Sequence, residues 1–167
     1  LALREKLYGP DHLIVALSLN NLAGVPLSLG KLEEARKLHE RALAIREKAL
    51  GPVSADVAVS LNALASIDEN EDKLDEAERG FRRALGTWQT VLGPDHPDVA
   101  AAHNNLGNLL RAKGDYAAAI AELERAEQAY KAQFGTLAVL TTEKWRLMER
   151  FFDTVVSKSR EIFAAAE

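Results

Sequence analysis

Cysteine is absent from the 167 residues, methionine occurs once, and aromatic residues make up 6% of the chain. Without thiols there is no disulfide framework, no thiolate metal site and no Cys/His nucleophile pair, and their absence leans towards a reducing compartment; a cytoplasmic location is expected. No apolar run approaches the ~20 residues that cross a bilayer, and no basic-then-apolar leader opens the chain, so no membrane role is expected. The net charge is −4 with signs interspersed and no basic stripe, which argues against a nucleic-acid partner. The recurring Gly-Pro pairs lack the Gly-Lys-Ser/Thr of a phosphate loop, and no Gly-x-Ser-x-Gly elbow occurs. Catalysis, a cofactor and a bound metal are therefore not expected.

What the chain does have is repetition. Gly9-Pro10-Asp11-His12, Gly51-Pro52-Val53-Ser54 and Gly93-Pro94-Asp95-His96 start 42 residues apart, and Gly135 falls one further period on. A period of this size with helical patterning inside it predicts an all-α solenoid of stacked antiparallel helix pairs, which buries its apolar residues as a line of interfaces. In the first segment of each period Leu19, Leu22 and Ala23 align with Leu61, Leu64 and Ala65, then with His103, Leu106 and Gly107. This i, i+3, i+4 stripe carries a small residue where two helices must come close. In the second segment Leu32, Ala35, Ala42 and Leu43 align with Leu74, Ala77, Ala84 and Leu85, then with Tyr116, Ala119, Ala126 and Glu127, again on one helical face. Gly30 and Gly114 suit a tight turn between the two helices.

Residues 1–10, LALREKLYGP, copy 43–52, LAIREKALGP, so residues 1–8 are expected to be the tail of a repeat belonging to a longer array. The expected boundaries are then 9–50, 51–92 and 93–134, with 135–167 a C-terminal capping segment. At the junctions Pro97 fits a first helical turn, and Asp95 or His96 fits an N-cap. His12 and His96 are two periods apart, too far to share a metal whose ligands sit at about 2 Å, so capping is the better reading of both. His39 and His103 are expected to be packed or groove residues.

The 42-residue period, LGPDHPDVA at 92–100, the Asn-Asn-Leu-Ala run at Asn20 to Ala23, and RALAIREKALGP at Arg41 to Pro52 resemble the tetratricopeptide repeats of the kinesin light chain class. The resemblance covers residues 1 to about 134. It implies a right-handed superhelix whose concave face, lined by the first helix of each pair, holds an extended peptide or a helix of a protein partner. Three departures carry expectations. Pro26 should kink or shorten the first helix of repeat one. Asp68-Glu69-Asn70-Glu71-Asp72 replaces the usual helix end and turn of repeat two, and Gly80 and Gly86 weaken its second helix, so repeat two should be the loosest. Residues 141–164 should form one long helix that lids repeat three through Trp145, Met148 and Phe152.

One column remains unexplained by packing. Asn20, Asn62 and Asn104 each follow the first core column, with Asn21, Asn105 and Asn108 beside them. Asparagine is a poor helix former, so three mid-helix copies point to a ladder of amides for the main chain of an extended peptide, or to ties between repeats. The candidate binding residues are these six and Arg111, the one arginine near them. The leading expectation is a non-enzymatic protein-interaction scaffold. The alternatives are a regulatory arm of a larger signalling enzyme (a caspase-like peptidase, kinase or NTPase) and self-association through an open solenoid end.

Overall fold

The structure, a computed structural model, describes residues 1–136, 150, 153–158, 160, 161 and 164. The helices are α1 (Ala2–Tyr8), α2 (Leu13–Ser28), α3 (Leu32–Leu50), α4 (Ala55–Asn70), α5 (Leu74–Leu92), α6 (Pro97–Ala112) and α7 (Tyr116–Thr136). Among the described residues there is no strand. The first helices α2, α4 and α6 are each 16 residues long and start 42 residues apart, as do α3, α5 and α7. The fold is an all-α helical repeat.

Each first helix starts on a side-chain cap. The Nδ1 of His12, the Oγ of Ser54 and the Nδ1 of His96 accept the backbone N–H of Ile14, Val57 and Asp98, each at 3.2 Å. A ring nitrogen that accepts an N–H must hold its lone pair, so the two junction histidines satisfy an orphan helix donor, as a capping role requires. The Tyr8 ring lies against His12 with centroids 5.2 Å apart.

Each first helix also ends the same way. The N–H groups of Lys31, Lys73 and Asp115 reach the carbonyls of Pro26, Asp68 and Leu110 at 2.8, 2.9 and 2.9 Å. The residue before each is left-handed: Gly30 at φ 71°, Asp72 at φ 60° and Gly114 at φ 82°. Two expectations are corrected here. The acidic run of repeat two makes the same turn as its neighbours, because aspartate is among the few side chains that tolerate this region. Nor does Pro26 shorten α2. It sits in the last turn, where the ring forfeits one N–H bond while its carbonyl takes part in closing the turn.

The chain forms two compact units, Leu1–Thr87 and Trp88–Glu167. In the first, Val15, Ala16 and Leu19 of α2 pack with Ala42 and Ile45 of α3, and Ala23, Ala35 and Ile67 form a second cluster that joins α2, α3 and α4. In the second, α6 packs along α7 and contributes Val99, Leu106 and Leu109 to a core shared with Ala119, Leu123 and Ala126. Small residues set the approach of paired helices. A Cβ built on Gly107 would lie 2.8 Å from the Leu123 Cγ, and one on Gly80 would lie 2.8 Å from the Ala65 Cβ. Gly80 is thus required by the α4–α5 contact and is not simply a weak point of α5. Gly86 has nothing within 4 Å of a built Cβ and remains one.

Trp145, Met148, Phe151 and Phe152 lie outside the described residues. Of the terminal segment, 153–158 are helical, Val156 is buried, and Arg160 pairs with Glu124 of α7.

Candidate partner-binding surface

The asparagine column is held by the first helices at one fixed position, directly after the buried column Leu19, Leu61 and His103. A residue one step past a core position is rotated about 100° away from it, so Asn20, Asn62 and Asn104 are half-buried at the margin of each helix–helix seam.

In the first unit, Asn20 and Asn21 lie on α2 and Asn62 on α4. The Asn20 Oδ1 is buried with no hydrogen-bond partner. Asn21 is exposed and lines a shallow notch with Leu1, Arg4, Ser18, Leu22 and Val25. Asn62 has an interaction partner, and its backbone carbonyl accepts the Ser66 Oγ at 3.1 Å. α2 carries no charged residue, so its exposed surface offers amides, small residues and the side chains of Leu17, Leu22 and Val25.

In the second unit, Asn104, Asn105 and Asn108 are half-buried on α6, and Arg111 is exposed in its last turn. Positions 104, 108 and 111 are spaced by four and three, which gathers two amides and a guanidinium on one side of the helix. The corresponding positions of α2 are Asn20, Gly24 and Leu27, so the two helices present different chemistry along the same line.

Beside these amides run polar contacts, some buried and some exposed, that reading the sequence for motifs did not find. Two of them are the same contact one period apart: Arg4 Nη1 donates to Ser18 Oγ at 2.5 Å and Arg46 Nη1 to Ser60 Oγ at 2.6 Å, each across a span of fourteen residues. One period further the columns hold Trp88 and Ala102. The Trp88 Nε1 is buried with no acceptor.

Across α3 and α4, Arg36 reaches the Asp68 carboxylate at 2.7 Å and Glu71 at 3.0 Å. Burial opposes the guanidinium's charge, yet the hydrogen bond and charge of Asp68, with Glu71, outweigh it and raise its pKa further. The Lys73 ammonium, 2.6 Å from Glu71, and Arg36 together hold the Glu71 carboxyl below its ordinary value. The acidic turn is therefore a socket for a cation from the preceding helix pair.

In the second unit His103 takes the place of the column's leucine. Its Nδ1 lies 2.6 Å from Glu122 Oε2 and its Nε2 lies 3.3 Å from Gln89 Nε2, while Arg125 donates to the other Glu122 oxygen at 2.7 Å. Burial pushes the Glu122 carboxyl up, but the bonds from His103 and Arg125 outweigh it, so its pKa is lowered. Comparing columns would have located this pair: a histidine stands among leucines, and a carboxylate stands where the earlier periods have Leu38 and Gly80. Among the described residues no cluster of His, Asp and Glu is fit to hold a metal, and no helix is long and apolar enough to cross a membrane.

The profile of the family described as Tetratricopeptide repeat matches residues 1–48, 16–72 and 56–132. No curated protein matches the chain in sequence. Among solved structures, BtubC (BKLC) from P. vanneervenii is similar at 28% identity and a TM-score of 0.72, over 83% of this chain and 55% of that one. A Podosopora anserina protein of nearly identical kinesin light chain TPR-like repeats is similar at 24% identity and a TM-score of 0.65, over 74% of this chain and 58% of that one. A variant of those Podosopora repeats gives 21% identity and a TM-score of 0.66, over 99% and 82%. The two Podosopora structures speak for the fold alone, and this chain spans little more than half the length of the first two structures.

Proposed function

Given that the chain belongs to the tetratricopeptide repeat family, we propose that it is a non-enzymatic scaffold whose first helices hold an extended segment or a helix of a partner protein. Repeats of this family generally mediate protein–protein interaction. With the repeats taken as 9–50, 51–92 and 93–134, the reading assigns recognition to Asn20, Asn21, Asn62, Asn104, Asn105, Asn108 and Arg111. The observation that carries it is the Asn20, Asn62 and Asn104 column. Three helices that bury their neighbouring position repeat an amide at the margin of the seam, where packing alone would favour alanine. An amide offers one acceptor and two donors, which matches the main chain of a peptide whatever its side chains.

The test uses Asn20→Ala, Asn62→Ala, Asn104→Ala and the triple variant, each unfolded in urea and titrated with a peptide recovered by display on the wild type. Alanine has the higher helix propensity by several tenths of a kcal/mol, and Asn20→Ala also removes a buried unpaired oxygen. Stability is expected to hold or rise slightly while the triple variant binds at least tenfold more weakly, a difference of about 1.4 kcal/mol. A loss of about 1–3 kcal/mol in every single variant would make the amides structural ties and move the binding surface elsewhere.

A further inference from the structure

His39 occupies a position that the other periods reserve for apolar core. The same column holds Phe81 and Leu123, both fully buried, while His39 is buried on α3 with neither ring nitrogen making a hydrogen bond. It stands on the stripe Ala35, His39, Ala42 and Arg46, all buried and all on one side of α3. Ala35 packs with Ala23 of α2 and Ile67 of α4, and Ala42 packs with Val15, Ala16 and Leu19 of α2. The ring is thus enclosed on the side where α3 meets its two neighbours.

An imidazole in such a place is tolerated only while neutral, because a cation there would need a counter-charge or a solvent shell. The surrounding elements supply no counter-charge. α2 contains no titratable residue. On α4, Asp68 is taken by Arg36 on the same helix as His39, and Asp56 acts on Arg46. Glu69, the remaining α4 acid, is itself pushed up by burial. The other charged contacts of α3 lead away from the ring: Arg41 to Glu5 of α1, Lys48 to Asp11 of the junction and Glu47 to Arg83 of α5. The charge that does act on the ring is the Arg46 guanidinium, of the wrong sign. Burial first and Arg46 second hold the His39 pKa below its ordinary value.

We propose that His39 is an acid-sensitive plug in the first unit, whose protonation loosens α3 from α2 and α4 under mildly acidic conditions while the second unit stays folded. The sign follows from linkage. A group whose pKa is depressed by folding stabilises the folded state fully above its unfolded value of 6.5, and that contribution is lost as pH falls below it. The buried histidine of the second unit is placed differently, since His103 meets the Glu122 carboxylate at 2.6 Å. The Glu122 pKa lies below 4.5, so the loss linked to that carboxylate begins only at lower pH. Between the two windows the units respond unequally.

The experiment is residue-resolved hydrogen exchange on the full chain at pH 7.5 and pH 5.5, corrected for intrinsic rates, with wild type, His39→Phe and His39→Leu. The two variants install the residue types that Phe81 and Leu123 already place in this column. Wild-type amides of α3 are expected to lose protection at the lower pH by up to about tenfold, the most that a group with an unfolded value of 6.5 can withdraw between these two pH values, while those of α6 and α7 hold. In whichever variant folds, the α3 loss should vanish. Ring titration by NMR supplies the second readout, since a plug must stay neutral below the pH at which an exposed histidine charges. A His39 ring that titrates at or above 6.5, or an α3 loss that persists in His39→Phe and His39→Leu, would overturn the proposal.

Discussion

Two glycines of α5, six residues apart, should answer alanine in opposite ways. Both sit inside Leu74–Leu92, where glycine costs roughly 0.8–1 kcal/mol against alanine in helix propensity. At Gly86 a Cβ meets nothing within 4 Å, so Gly86→Ala should realise that gain and stabilise by up to about 1 kcal/mol. At Gly80 the new Cβ would stand 2.8 Å from the Cβ of Ala65 and 3.4 Å from its Cα. Neither atom belongs to a flexible side chain, so α4 and α5 must separate. Overpacking of this kind costs about 1–3 kcal/mol, and after the propensity gain Gly80→Ala should lose up to about 2 kcal/mol. Urea unfolding followed by circular dichroism would show the two midpoints moving to opposite sides of wild type. At this chain length each kcal/mol also moves the melting temperature by about 2–4 °C. Pairing Gly80→Ala with Ala65→Gly separates clash from propensity, because the double variant should recover part of the loss through a favourable coupling. A Gly80→Ala protein as stable as Gly86→Ala, or an additive double variant, would refute the claim that this contact sets the α4–α5 approach.

Asp72→Gly should stabilise by up to about 1 kcal/mol, since φ 60° is strained for a residue with a Cβ; equal or lower stability in urea would show that the Asp72 side chain contributes to the turn. Arg36→Met should cost about 1–3 kcal/mol by leaving Asp68 and Glu71 without their shared donor, and raising salt should not reproduce that loss because the pair is largely screened from solvent. Ala102→Ser should restore an acceptor in the column where Trp88 Nε1 has none, with a gain of about 0.5–1.5 kcal/mol in melting experiments and a slowed indole N–H exchange by NMR. Glu122→Gln should flatten the fall in stability expected of wild type below pH 4.5, because the folded-state carboxyl pKa is lowered and its contribution is lost as the group protonates; an unchanged acid limb would assign that limb to other carboxylates.

The helices were legible in the sequence because three aligned copies turn a weak periodic signal into a column test. Leu19 beside Leu61, or Ala42 beside Ala84, says more about burial than either says alone, and all four are buried. The capping histidines were legible for the same reason. Where the columns break, single-residue propensities misled. Asp72 reads as a departure from a glycine turn, but the backbone of that turn is fixed by hydrogen bonds at Lys73 and Glu71, and aspartate can follow it. Gly80 reads as a helix defect, and the reason for it lies on another helix, at Ala65. The polar pairs needed two coordinated departures to be noticed, as with His103 and Glu122, nineteen residues apart. For the binding surface the sequence supplied the asparagines and their register, whereas the buried oxygen of Asn20 and the separate environments of Asn21 and Asn62 depend on neighbouring helices that no column encodes.

The socket that Asp68 and Glu71 make for Arg36 gives the array a grammar. One period on, the places of Asp68 and Glu71 are held by Leu110 and Lys113. Excising residues 51–92, which leaves every remaining helix intact and every turn in phase, would set Arg36 opposite a leucine and a lysine. Repeats of equal length are thus not interchangeable parts: α3 is keyed to α4, the first helix that follows it, and loss of the period between residues 51 and 92 by recombination would leave a mismatched charge at the new joint.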